Sequence, residues 1–448
     1  MQTAELSAAQ EAAGLLLDAE TALGVSIDFF LERVHSVDCF LLDGNRPTLE
    51  EITRSGFSVT VRHRGATGEV AVNSISVDAL RQGLAAAAER AGVTGLPLDR
   101  LAAAVRSAVG PSGVPPRTGG ETDTLWKVYD TARREGPLTS VAVSYSGELR
   151  EFLALGPGRT HREVTLPRYL LSGRAIAEGE TVGYRKIGTR DADEWQSGHA
   201  AADVGREAGS SALRKRGAVQ VQEEDAVLVI AAGASGVLAH ELVGHPLEAD
   251  VAAGGLAGVR WESGDRIGPA GLSVADDPGL PGAWGSYAHD DTGVAAARCP
   301  VVEDGVVTRL IDGTGRQRRQ SFRCPPLPRM SNVVMEPGPD DPAALTGSVR
   351  SGYHVARLGA GMLADDGVFS VGAVNIHRIR DGRLAEPVAD SVISGHVADA
   401  LRNIRGIGSD FALGGPASCG KYGQGVPVGD GGPTLLMTGL TIEPAPLK

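Results

Sequence analysis

The chain has 448 residues, 42% of them hydrophobic and 22% charged, which suits a folded protein of two or three domains and is too apolar for a disordered one. A formal charge of −12 argues against a general nucleic-acid binder, because a phosphate backbone requires a basic face. With 61 glycines and 4% aromatic residues, tight turns and small aliphatic core side chains are expected.

In chain order, "MQTAELSAAQEAAGLLLDAE" reads as the start of an amphipathic helix over residues 6–24. It lacks the basic start, apolar centre and cleavage site of a signal peptide, so a cytoplasmic location is expected. Short β-prone runs then follow, split at "DGN" and "RGATG". A helix is expected over about residues 78–92, and "VGPSGVPPRTGGETD" at 109–123 is a Pro/Gly-rich break that marks a subdomain joint. From "LTSVAVSYSGELREF" onward, alternating apolar and polar residues predict antiparallel strands with one solvated face. Residues 197–217 read as an alanine-packed helix, and "DAVLVIAAG" as a buried strand feeding a further helix. The uncharged stretch "AVLVIAAGASGVLA" has 14 residues, too few to span a bilayer. Its "AAGASG" lacks the terminal GK[ST] of a phosphate loop and reads as close backbone packing. Beyond residue 250, short strands and the "EDG" and "RDG" turns predict an antiparallel sheet.

The chemistry concentrates in "VLAHELVGHPLEAD", residues 237–250. His240 and His245 lie five positions apart, and a regular helix would turn the second side chain about 140° away from the first. Gly244 weakens the helix and Pro246 disfavours helical backbone at His245, so a π-bulge or a helix end over Val243 to His245 could bring both imidazoles to one metal. Glu241 beside the first histidine suits a general base, and Glu248 and Asp250 suit supporting carboxylates. The alternative is a core histidine at 240 and a capping one at 245. Two histidines leave a catalytic zinc one ligand short. The four cysteines, Cys39, Cys299, Cys324 and Cys419, form no CxxC pair and no disulfide framework. Cys419 stands out in the glycine-rich "GGPASCGKYGQGVPVGDGGPT", with Lys421 nearby to hold a thiolate, although a small buried hydrophobe is the ordinary role of a free cysteine.

These residues resemble the TldD/PmbA metallopeptidases, specifically the metal-bearing TldD-like members. The resemblance runs through "VLAHELVGHPLEAD", "DDPGLPGAWGSYAHDDTGV", "PPLPRMSNVVMEPG", "SGYHV", "DDGVFSVGAV" and "CGKYGQGVPVGDGGPTLLM" in order, with "GFSVTVRHRGATG" fitting the N-terminal domain, and so covers nearly the whole chain. The family motif is HExxxH, so the resemblance implies a zinc peptidase in which His240, His245 and Cys419 bind Zn2+ and Glu241 is the base. It also implies flexible peptide substrates bound as an added strand, and a heterodimer with a metal-free TldE/PmbA-like subunit, a homodimer being the alternative. Pro246, His396 and a high Arg-to-Lys ratio depart from the family pattern without removing a ligand. They leave room for a specialised hydrolase trimming a modified peptide or natural-product intermediate. A non-catalytic subunit with structural zinc is a further reading, and a Cys419 nucleophile ranks last. The oxyanion-stabilising group stays open among Tyr287, His289, His396 and the backbone, and "PRMSN" at 328–332 is expected either to line a peptide channel or to form a turn held by Asn332.

The expected architecture is α+β: an N-terminal α/β domain over 1–110 with antiparallel strands, a middle β-rich domain over 111–222, and a β-rich C-terminal metallopeptidase domain over 223–448 carrying one motif helix.

Overall fold

The computed structural model describes residues 2–109, 119–164, 167–190, 198–255 and 258–446. Most of the Pro/Gly-rich joint expected at 109–123 lies outside the described residues. Helix α1 (Gln2–Leu23) precedes a long antiparallel sheet. Its strands are β1 (Val25–Leu42), β2 (Thr48–His63), β3 (Ala66–Val72), β4 (Leu138–Gly156), β5 (Arg159–Val164), β6 (Arg168–Ala177) and β7 (Val182–Thr189). They run in the order β3-β2-β1-β4-β6-β7, with β5 also paired to β4. The β2–β3 hairpin closes at Arg64 and Gly65, both at positive φ, which is the twist a two-residue hairpin needs.

Helices α2 (Val77–Arg90), α3 (Leu98–Ala108), α4 (Glu121–Arg134) and α5 (His199–Arg214) cover this sheet. α2 and α5 fall where the pattern predicted them, while α3 and α4 are additions whose buried residues lie three or four apart. Two apolar clusters result. One joins α1, α2 and α3 to β1 and β2, and the other joins α4 and α5 to β4 and β6. The regions expected at 1–110 and 111–222 therefore have a cluster each but share one sheet, because β4 pairs with β1 from Phe29 to Leu42.

The C-terminal part begins with β8 (Glu223–Ile230). This strand pairs in parallel with Ser351–Leu363 and antiparallel with Leu435–Pro444. Pairings through Val368–Arg380 and Ser391–His396 close the circuit, giving a small five-stranded barrel that leaves these strands without free edges over the paired segments. A second, mixed sheet contains Val274–Asp276, Cys299–Glu303, Asn332–Met335 and Gln424–Gly432. One large core cluster takes side chains from both sheets and from the helical segment starting at Ser235. The whole is α+β and antiparallel-rich, with β strands dominating the C-terminal part. Among the described residues no helix is long and apolar enough to cross a membrane.

Candidate metal centre

The segment after β8 packs backbone to backbone against the second sheet. Gly233 donates to the Gly432 carbonyl at 2.9 Å, and a side chain at Gly236 would strike the backbone of Gly431. The "AAGASG" glycines thus serve close packing. An α-helical turn, Ser235–Ala239, leads into a π-helical turn, His240–Gly244. The His245 N–H bonds to the His240 carbonyl, five residues back, which defines that wider turn. Two neighbours account for it. Pro246 has no N–H with which to close an ordinary turn onto Leu242, and Gly244 faces Met330, whose sulfur would collide with any Cβ there. His245 itself keeps helical backbone, φ −60° and ψ −47°, contrary to the expectation that Pro246 would push it out of that region.

The wide turn brings the two imidazoles together, with ring centroids 4.9 Å apart and planes nearly perpendicular at 89°. Cys419 reaches them from the hairpin formed by Ala417–Lys421 and Gln424–Gly432, its Sγ 3.4 Å from His245 Nε2. One ligand atom from each of His240, His245 and Cys419 lies within 4.8 Å of the others. Burial raises the Cys419 thiol, but the two imidazoles outweigh it and hold the group down to about 4. Burial likewise opposes charge on both imidazoles, and Cys419 overcomes it, so both sit above the ordinary histidine value. Lys421, expected to hold the thiolate, instead has its ammonium 3.1 Å from Glu248 and 2.9 Å from Asp250. A thiolate and two imidazole nitrogens converging in a buried space form a donor set that fits a zinc ion.

Glu248, fully buried, orients this set. Its Oε2 lies 3.2 Å from His245 Nδ1 and its Oε1 accepts the Met330 N–H at 3.1 Å. An Nδ1–H held by Glu248 leaves the Nε2 lone pair facing Cys419 and any bound metal. Burial works against the Glu248 charge, but His245, Lys421 and Arg329 keep its carboxyl below the usual range. Asp250 pairs with Lys421, away from the imidazoles. Glu241 is buried and makes no hydrogen bond among the described residues, so its carboxylate is not committed elsewhere. It packs over Gly361, where a Cβ would collide with the carboxylate. Gly361 follows an irregularity in the pairing of Ser351–Leu363 with Val368–Arg380, which re-aims the strand at this point.

Three residues of the centre escaped the sequence reading. Gly361 is one of many glycines, with no local signal. Arg329, fully buried, donates to the Cys419 and Gln424 carbonyls and so ties the thiolate hairpin to Asn332–Met335 and its approach. Asp430, in "GDGG", is pushed by burial up to about 6 against the pull of His240 and Lys186, and its Oδ1 has no hydrogen bond. An acid set among glycines was the available hint. The stretch 328–332 is buried from Arg329 onward, and Asn332 bonds the backbone of Gly285 and Asp277 and the Ser286 hydroxyl, as the second of the two expectations has it, but from the strand Asn332–Met335 and not from a turn. Of the oxyanion candidates, His396 caps the helix Val397–Arg402 and Tyr287 donates to the Gly315 carbonyl. His289 packs against His161, ring centroids 4.2 Å apart and planes tilted by 44°. Cys39 and Cys299 are buried and Cys324 is half-buried, none of them in a disulfide and all outside the cluster.

Residues 223–444 match the family described as PmbA/TldA metallopeptidase C-terminal domain. A metalloprotease of Methanothermobacter thermautotrophicus is 32% identical over 343 residues, spanning 73% of this chain and 74% of that protein. The chain belongs to the PmbA/TldD metallopeptidase family. A zinc metalloprotease TldD homolog of Saccharolobus solfataricus is 29% identical over 228 residues, 48% of this chain and 51% of that one. Among solved structures, TldE from Thermococcus kodakarensis superposes with a TM-score of 0.67 at 18% identity, covering 96% of this chain and all of that one. At that identity the likeness establishes the PmbA/TldD fold.

Proposed function

We propose that this family member is a zinc-dependent peptidase that hydrolyses amide bonds in unfolded or flexible peptides. His240, His245 and Cys419 would hold Zn2+, and Glu241 would be the general base. The observation that carries the reading is the convergence of the three donors with an uncommitted, buried carboxylate on the residue after the first of them. Bound zinc supplies Lewis-acid chemistry, acidifying a water and polarising a carbonyl. The chain's own groups do the rest. Glu248 keeps the His245 ring in one orientation and tautomer, and Arg329 and Lys421 fix Glu248 and the hairpin of Cys419. Glu241 takes a proton from water at the site and returns it to the leaving amine, a role that requires the carboxylate to stay free of other partners.

The family match starting at residue 223 supports assigning the chemistry to a C-terminal domain, 223–448, with 1–110 and 111–222 as accessory domains. The likeness to TldE supports a homologous metal-free subunit as partner, in a heterodimer. The test is zinc content and cleavage of an unstructured peptide pool by wild type and Glu241→Ala, with and without a co-expressed homologous subunit. One zinc per chain in both proteins, with cleavage by wild type alone, is the expected result. Equal cleavage by both would overturn Glu241 as base. Zinc without cleavage in any combination would leave a structural metal site.

A further inference from the structure

A crevice of about 600 Å3 lies between the N-terminal sheet and the C-terminal part, in the size range of small-molecule sites. Six arginines and four carboxylates line it, an excess of positive charge in a chain whose net charge is −12. Most of the carboxylates are already committed. Glu32 and Asp291 are taken by Arg150, at 2.6 Å to its Nε and 2.7 and 3.1 Å to its two terminal nitrogens. Asp290 accepts the backbone N–H groups of Thr292, Val294 and Gln317. Glu148 is left against Arg54, Arg168, Arg318, Arg319 and Arg323.

Arg168 is 5% exposed, and its side chain makes one hydrogen bond among the described residues, from Nε to the Trp284 carbonyl at 3.2 Å, and no ion pair. Burial, and then its neighbours Arg318 and Arg190, pull its pKa down to about 9 against the opposing charge of Glu148, its cross-strand neighbour. Arg319 is also buried, and its Nε has no acceptor. A buried guanidinium with no carboxylate at ion-pair distance is costly unless an anion joins it, and its fork of N–H donors matches carboxylate and phosphate oxygens.

We propose that this crevice binds a small oxyanion ligand, one carrying carboxylate or phosphate groups, as a site separate from the metal centre. The separation follows from strand alternation. Ser418 and its cross-strand partner Pro427 line the crevice, whereas Cys419 and its partner Val426 belong to the buried cluster on the other face of the hairpin. The proposal does not depend on peptidase activity.

Isothermal titration calorimetry on the full chain, with inorganic phosphate and separately with succinate, against sodium chloride at matched ionic strength, tests it. Saturable binding of phosphate or succinate and none of chloride is expected, the stronger of the two naming the ligand's acidic group. Arg168→Gln should weaken that binding about tenfold, the scale of a lost charged hydrogen bond. Glu148→Gln should tighten it, a gain that a damaged fold would not give, so this variant decides if Arg168→Gln does not fold. Heats that do not saturate, or an affinity that neither substitution changes, would overturn the site.

Discussion

Glu248 and Gly361 touch the candidate site without belonging to the donor set, Glu248 at His245 and Gly361 under Glu241. Glu248 touches the candidate metal site through His245 Nδ1, so Glu248→Gln should weaken zinc binding by about 10–100-fold, the usual cost of losing a ligand's orienting partner. A competition titration with a chromogenic chelator measures it, and an unchanged affinity would show that His245 is held by other contacts. Gly361 has the complementary effect. A methyl group there collides with the Glu241 carboxylate and leaves the three donors alone, so Gly361→Ala should lower kcat while the bound zinc stays at one per chain. Metal analysis beside steady-state peptide cleavage separates the two, and loss of zinc in this variant would contradict the geometry.

The π turn is the element on which the donor set depends. Five residues separate His240 from His245, and the i to i+5 bond brings them to one side where a regular helix would part them. Gly244 sits inside that turn against Met330. Gly244→Ala should therefore cost about 1–3 kcal/mol of stability through overpacking, and Met330→Ala in the same chain should recover part of the loss. Urea unfolding of the two single variants and the double variant gives the coupling. Additive losses would mean that the two side chains do not share the space.

At the scale of the molecule, Arg150 of β4 joins the N-terminal sheet to the C-terminal part through Asp291. Burial pushes the Asp291 carboxyl up, but Arg150 outweighs it and the group lies below its ordinary value. A carboxylate lowered in the folded state binds fewer protons there than when unfolded. Its stabilisation is therefore complete above the ordinary aspartate value near 4 and is lost as pH falls through the lower folded value. Asp291→Asn should remove about 3 kcal/mol at pH 7 by leaving a buried guanidinium short of a partner, and should flatten the fall in stability below about pH 4. Urea midpoints at pH 7 and across the acid range check both signs, and a parallel fall in variant and wild type would exclude Asp291 from the acid transition.

The two histidines, the carboxylate beside the first of them and the need for a distorted helix were legible in "HELVGHP", because proline, glycine and a five-residue spacing restrict the local backbone wherever the segment lies. The α+β class was legible too, from alternation and turn residues whose effect spans a few positions. What the tertiary structure alone decided is which distant groups meet. It brought Cys419 to His245 across 174 positions, gave Lys421 to Glu248 and Asp250 in place of the thiolate, and buried "RMSN" as a support. It also set Gly361 under Glu241 and gathered the arginines of the crevice from both parts of the chain. Those contacts depend on strand register and on how two sheets close over a shared core, and no local pattern of residues encodes either.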